Sequence, residues 1–158
     1  GNNEWYTPAE YVKAARIVMG SIDLDPASSP EANEVVCATR FFTAEEDGLK
    51  QEWAGKVWMN PPYSGDLIGA FCGKLARHVR AQTVTEAIVL VNNATETGWF
   101  SSLIEVAHAV VFPRGRVRFW GPQGQAGAPL QGQAVIYVGP EPQAFLVEFG
   151  AFGWGALL

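Results

Sequence analysis

Residues 57–66, VWMNPPYSGD, carry an apolar run straight into two consecutive prolines. Neither proline has a backbone N–H to give to a neighbouring strand, and each fixes its own φ. A buried strand must therefore stop at Asn60-Pro61-Pro62-Tyr63, and the corner after it is stiff. A helical pattern follows at once. In DLIGAFCGKLARHVRA, Leu67, Ile68, Phe71, Leu75 and Val79 fall on one face, and Lys74, Arg77 and Arg80 gather toward the end, as suits a helix C-terminus. Strand, rigid turn and amphipathic helix in this order make a βα unit, which constrains the fold to one with parallel strands.

The rest of the chain supplies the other units. Residues 8–19 have apolar positions at helical spacing, with Pro8 in the first turn and Thr7 as the cap, and Gly20 to stop them. Ile22 and Leu24 form a short strand that runs into the turn DPASSP, and residues 31–52 read as a short helix and irregular chain. EAIVLVNN is a continuous apolar run of the kind buried inside a parallel sheet. GWFSSLIEVAH is a short helix, AVVFPRGRVRFW two strands around a corner, and GPQGQAGAPLQG a loop with mobile character. QAVIYVG is another strand, and QAFLVEFG is expected to be a last one. The sum is an α/β fold with a mostly parallel sheet and an antiparallel edge, in one domain spanning 1–158.

Composition sets the limits of partner and place. Apolar residues make up 48% and charged residues 17%, an ordinary globular balance. No apolar run approaches the ~20 residues of a membrane span, and the polar start has no signal-peptide pattern, so a cytoplasmic location is expected. Cys37 and Cys72 lack metal-like spacing and are read as reduced packing residues, His78 and His108 lack metal-type partners nearby and are read as surface or packing residues, and no metal is expected. The net charge of −5 argues mildly against nucleic acid, because phosphate contacts need Lys and Arg. The distribution matters more. Arg114, Arg116 and Arg118 alternate, so on a strand they share one face, and with Lys74, Arg77 and Arg80 they could contact phosphates. A solvated edge strand is the plain alternative.

Ligands in such sheets bind at the carboxyl ends of strands. Both unusual turns, DLDPASS and NPPYS, fall there. Prolines aim backbone carbonyls in fixed directions, and an adjacent Asn offers a side-chain carbonyl. Two converging acceptors suit an NH₂ group, and Tyr63 offers a flat face for a planar base. Hydrogen bonds to the protons of an exocyclic amine favour a pyramidal nitrogen and free its lone pair, an effect that grows toward the transition state. Asp23 and Asp25 alternate, so their carboxylates are expected on one side until Pro26 breaks the pattern.

Asn60-Pro61-Pro62-Tyr63 resembles the catalytic signature of S-adenosylmethionine-dependent methyltransferases that modify amino nitrogens. With EWYTP, DLDPAS, the DGL…W…VWMNPPYS block, LVNNATETGWF and FPRGRVRF, the chain resembles the phage-type DNA adenine-N6 methyltransferases over roughly residues 4–138. That resemblance implies a Rossmann-like methyltransferase fold, S-adenosylmethionine as cofactor, DNA as partner, and work in the host cell cytoplasm. It implies that Asn60, Pro61 and Pro62 form the catalytic corner and that Tyr63 stacks on a flipped adenine. It also implies that Tyr6, Thr7, Pro8, Asp23, Asp25, Pro26, Ala27 and Asp47 serve the cofactor. Thr95 and Trp99, after the third strand, line a pocket on this reading or belong to a capped helix with aromatic core residues. The chain departs from larger relatives in having no glycine after Asp25-Pro26 and no separate target-recognition domain. A homodimer is one way so small a core could gain a reader. Methylation of a protein glutamine amide or an RNA base would keep the same chemistry. A DNA-binding module with a decayed cofactor site would not, and the missing glycine is the feature that favours it.

Overall fold

The computed structural model describes residues 5–127 and 131–158. Its centre is a seven-stranded sheet. In chain order the elements are α1 (Ala9–Met19), β1 (Leu24–Asp25), α2 (Pro30–Val36), β2 (Arg40–Phe41), a 3-10 turn (Gly48–Lys50), β3 (Gly55–Met59), α3 (Leu67–Arg80), β4 (Val84–Asn92), α4 (Gly98–Ile104), β5 (Ala109–Pro113), β6 (Phe119–Trp120), β7 (Ala126–Gly127), β8 (Gln133–Val138), α5 (Pro142–Phe149) and β9 (Gly153–Leu157). The strands lie in the order β2-β1-β3-β4-β8-β5-β9.

β1 pairs in parallel with β2 and β3, and β3 with β4. β8 then runs antiparallel to both β4 and β5, and β5 pairs antiparallel with β9. The first five strands therefore share one direction. The sheet is mostly parallel, consistent with a Rossmann-like fold, and the expected antiparallel edge is present in β9, joined by a second reversed strand that was not expected. The reversed β8 lies inside the sheet, and only β9 is at the edge.

Both faces of the sheet are covered, which is why β4 reads as a continuous apolar run. Trp58, Ile88, Leu90, Val135 and Tyr137 pack with α1 and α5 residues such as Val12, Phe145 and Phe149. Their strand neighbours Val57, Met59, Val89, Val91 and Ile136 face α3 and α4, meeting Phe71, Leu75, Phe100 and Leu103. The period-2 alternation of strand side chains divides one apolar run between two cores.

Four expectations change. QAFLVEFG is helix, not strand: Pro142 sits in its first turn, and Phe145 and Phe149, four apart, stack at 4.7 Å. The last strand is instead GWGAL, where glycines hid the pattern. The segment after β5 makes only a two-residue strand, whose partner β7 lies in what reads as a loop, while Ala128, Pro129 and Leu130 of that loop lie outside the described residues. Thr7 does not cap α1; the cap position is Pro8, without a side-chain hydrogen bond. Of the two cysteines, Cys72 is buried as expected, whereas Cys37 is exposed at the left-handed C-terminal cap of α2. Among the described residues, no helix is long and apolar enough to cross a membrane.

Candidate active site

The carboxyl ends of β1 and β3 open onto a cavity of about 920 Å³. Pockets for small ligands run to roughly this size. Of the expected site residues, Tyr6, Thr7, Asp25, Pro26, Ala27, Asp47, Asn60 and Pro62 line it. Glu31, Glu45, Phe42, Trp58, Leu67 and Phe71 complete much of the wall and were not anticipated. No Lys, Arg or His lines it among the described residues, and four carboxylates do. Such a wall suits a cation with an apolar body and disfavours a polyphosphate.

Asp25 is the most informative of these groups. It is 3% exposed, and its Oδ1 accepts from the Ala27 backbone N–H at 3.2 Å. Among the described residues, the ion pairs are His78–Glu52 and Arg80–Glu105, both elsewhere, so Asp25 faces the cavity without a cationic partner. Burial pushes its carboxyl up from 3.8 to about 7, against the opposing pull of the Ala27 and Ser28 hydrogen bonds. Burial favours the neutral acid. The stability this group contributes is full below pH ~4 and is lost as pH rises through about 7. A cation in the cavity would reverse the preference.

Asp47 takes φ +55°, a region non-glycine residues rarely occupy, and its Oδ1 accepts from Leu49 N–H at 3.1 Å. The next residue supplies the glycine that seemed absent. A Cβ on Gly48 would lie 2.1 Å from the Pro26 carbonyl oxygen. The close approach required at the Asp-Pro turn is met by Gly48 coming in from a distant loop, not by a glycine in the turn itself. DGL was the signal, read in the sequence only for its Asp.

Asn60 emerges from the end of β3 at the edge of the cavity. Its Nδ2 donates to Thr7 Oγ1 at 3.1 Å, which sets its carbonyl oxygen at the other end of the amide. Thr7 is 6% exposed and held from behind, its carbonyl accepting from Trp120 Nε1 at 3.1 Å. Tyr6 and Trp120 exchange backbone hydrogen bonds, and their rings meet edge to face at 4.5 Å. The ribbon of β6 and β7 thus fixes the segment that fixes Asn60.

Pro61 is buried, and Tyr63 turns away from the cavity toward β4. The Tyr63 hydroxyl accepts the Asn92 N–H, and its ring lies 6.0 Å from Trp99, edge to face. Burial holds the phenol in its neutral form. Beside it, Gln133 Nε2 donates to Asn92 Oδ1 at 2.7 Å, a pairing that joins β4 to β8 and that no sequence pattern signalled. Asn60 therefore stands between two environments, the acidic cavity on the β1 side and an aromatic and amide group on the β4 side.

Other expected residues sit apart. Asp23 is a stitch between strands: its Oδ2 accepts from Lys56 N–H at 2.9 Å, below the level of the cavity. It does not share the outlook of Asp25, because only Leu24 and Asp25 are strand. Pro8 begins α1 and does not line the cavity. Thr95 is exposed in a turn, and the α4 cap is Thr97, whose Oγ1 accepts from Phe100 N–H at 3.3 Å. Arg114, Arg116 and Arg118 are exposed, but on irregular chain and not on a strand. Arg116 and Arg118 still share an outlook, because Val117 and Phe119 between and beyond them are buried. All three follow β5, at the same edge of the sheet as Asn60.

Lys74, Arg77 and Arg80 do not join them. A crossover helix returns antiparallel to its strands, so the C-terminus of α3 lies at the opposite edge. Lys74 is spent on the carbonyls of Leu49 and Gln51, and Arg80 on Glu105 at 3.1 Å.

Against this geometry, a profile of the DNA N-6-adenine-methyltransferase (Dam) family matches residues 2–136. The chain belongs to that family. The DNA N-6-adenine-methyltransferase of Escherichia phage T1 is 30% identical over 110 residues, covering 68% of this chain and 43% of that protein. The protein of the same name from Haemophilus phage HP1 (strain HP1c1) is 30% identical over 91 residues, covering 57% of this chain and 49% of that protein. The chain spans less than half the length of these curated relatives in either match.

Proposed function

We propose that this chain methylates the exocyclic amine of adenine in DNA, with S-adenosylmethionine as the methyl donor. The observation that carries the reading is the amide of Asn60: Nδ2 is bonded to Thr7, which sets its carbonyl oxygen at the other end of the amide, beside Pro61 at the mouth of an acidic cavity. The names of the phage T1 and HP1 relatives point the same way. The residues present fit the cofactor, since a cationic donor suits the unpaired Asp25 and the other carboxylates of the wall. When bound, S-adenosylmethionine supplies an electrophilic methyl group. Asn60 Oδ1 and the Pro61 carbonyl accept the two amine protons and stabilise the nitrogen as positive charge develops on it. Tyr63 and Trp99 give the flipped base an aromatic surface. Gly48 and Asp47 shape the cofactor side.

The direct test incubates the protein with S-adenosylmethionine and mixed-sequence duplex DNA, digests the DNA to nucleosides and measures N6-methyladenine by mass spectrometry. Methylation dependent on both protein and donor is expected. Folded protein that binds the donor and leaves adenine unmodified would sink the proposal and turn attention to amide or RNA substrates.

Cofactor binding should depend on pH through Asp25. The carboxylate is the form that holds a cation, so affinity should rise roughly tenfold per pH unit below about 7 and level off above it. Calorimetry from pH 5.5 to 8.5 measures this, and Asp25→Asn should flatten the profile. On the DNA side, removing both Arg116 and Arg118 should weaken binding and reduce the slope of log K against log salt by nearly ~2, about 0.9 per lost phosphate contact. An unchanged slope would place these arginines off the DNA.

A further inference from the structure

The turn Gly48–Lys50 and the residue before it face the cavity on one side, where Asp47 and Gly48 line the wall and Gly48 closes on the Pro26 carbonyl. A single 3-10 turn has few hydrogen bonds of its own, and this one starts from Asp47 at φ +55°. Its position has to be imposed from behind, and two buried donors supply the hold. Lys74 Nζ, two turns into α3, donates to the Leu49 carbonyl at 2.8 Å and also to the Gln51 carbonyl. Trp53 Nε1 donates to the Gly48 carbonyl at 2.8 Å. The ammonium stands 5.3 Å from the centre of the Trp53 ring, within reach of its π face. Lys74 is 7% exposed and Trp53 1%, and neither lines the cavity. Among the described residues, Lys74 belongs to no ion pair. A buried cation is costly, and here it is offset by backbone carbonyls of this one turn. The helix that carries Lys74 follows directly on the Asn60-Pro61-Pro62-Tyr63 corner, so the cofactor side of the cavity hangs from the same element as the target side.

We infer that Lys74 and Trp53 are positioning residues for cofactor binding, which brace from behind the turn that brings Asp47 and Gly48 to the cavity. This rests on the methyltransferase reading above. Neither residue touches the cofactor in this role; both act through the backbone of residues 48–51. Without the ammonium, the Leu49 and Gln51 carbonyls lose a charged donor and turn toward water. The turn then draws away from Pro26 and takes Asp47 out of the wall. The Asn60 corner is held by other contacts and stays.

The test measures S-adenosylmethionine affinity by calorimetry, N6-methyladenine formation at saturating donor and DNA, and amide hydrogen exchange in the protein without ligand. Lys74→Met keeps the stem and removes the donors. It should raise Kd about tenfold and leave kcat within about threefold. Trp53→Phe removes the other donor and should raise Kd about threefold or more. In both, the amides of Leu49, Lys50 and Gln51 should exchange faster while those of β4 do not. Leu75→Ala, a core change on the same helix, controls for lost stability: its Tm should fall and its Kd should stay within about twofold. The decisive comparison uses Gly48→Ala, which already displaces the turn. In that background, Lys74→Met should change Kd by less than about threefold. Losses that simply add would overturn the inference, because Lys74 would then act by another route. A lower Tm with Kd unchanged would overturn it too, making the pair a brace of the fold alone. Should Lys74→Met fail to fold, Trp53→Phe carries the same comparison, and failure of both would likewise overturn it. Failure of the unmodified protein to bind the donor or methylate adenine would instead defeat the reading on which the inference stands.

Discussion

Asn60→Ala is expected to lower kcat by a hundredfold or more while leaving S-adenosylmethionine affinity within about twofold. The size follows from removing one preorganised hydrogen-bonding group aimed at developing charge, a loss that commonly costs 10²–10³ in rate. The selectivity follows from position. Asn60 stands at the edge of the cavity, and the carboxylates assigned to the cation belong to other elements. Its side chain donates to Thr7 Oγ1, a single neutral hydrogen bond whose loss costs the fold little. Single-turnover methylation, calorimetry of the cofactor and thermal unfolding separate the three effects. A parallel fall in rate, affinity and Tm would make Asn60 a structural residue.

Gly48→Ala is expected to do the reverse, abolishing tight cofactor binding through the backbone. The added Cβ would sit 2.1 Å from the Pro26 carbonyl oxygen and 3.1 Å from its carbon. Both are main-chain atoms, so no rotamer change relieves the clash. Either the loop carrying Asp47 withdraws or the turn after Asp25 moves, and both line the cavity. Overpacking of this kind costs about 1–3 kcal/mol in stability, and cofactor affinity should fall at least tenfold. Gly69→Ala provides the contrast. Gly69 lies on α3 with open space where its Cβ would go, so that change should stabilise the chain by roughly 0.5–1 kcal/mol through helix propensity. Calorimetry and thermal unfolding of both variants decide the matter. Unimpaired affinity in Gly48→Ala would remove that glycine from the site.

The elements whose chemistry is local were legible in the sequence. NPPY announced a strand end and a rigid corner, because prolines constrain the backbone whatever surrounds them. α3 and β4 announced themselves by apolar periodicity, and the Asp-Pro turn by its place after a strand. What escaped notice depends on contacts between distant segments. Asp23 and Asp25 look alike in sequence, yet one ties down a backbone N–H and the other faces a cavity, a difference set by where Lys56 arrives. The role of Gly48 exists only because its loop meets the turn at Pro26. Thr7 read as a helix cap from its neighbours, whereas its hydroxyl is engaged 53 residues away. Arg116 and Arg118 kept their shared outlook without the strand that was used to argue it. GWGAL carried too little side chain to signal a strand, and QAFLVEFG, apolar enough for either structure, was decided by the proline before it.

The reversed strand β8 sets a timetable for the nascent chain. β4 and β5 leave the ribosome well before it, yet in the finished sheet each pairs with β8 and not with the other. All six residues of β8 are buried, so the middle of the sheet is closed by a segment made after both of the strands it joins. Until then two apolar edges wait unpaired, a condition that invites association with other chains. A translation product stopped before residue 133 would hold the cavity, the corner and the arginines and still lack the strand that joins its halves. Assembly of this edge therefore waits for β8: chains that include it can close the sheet, and those interrupted before it become work for chaperones and proteases.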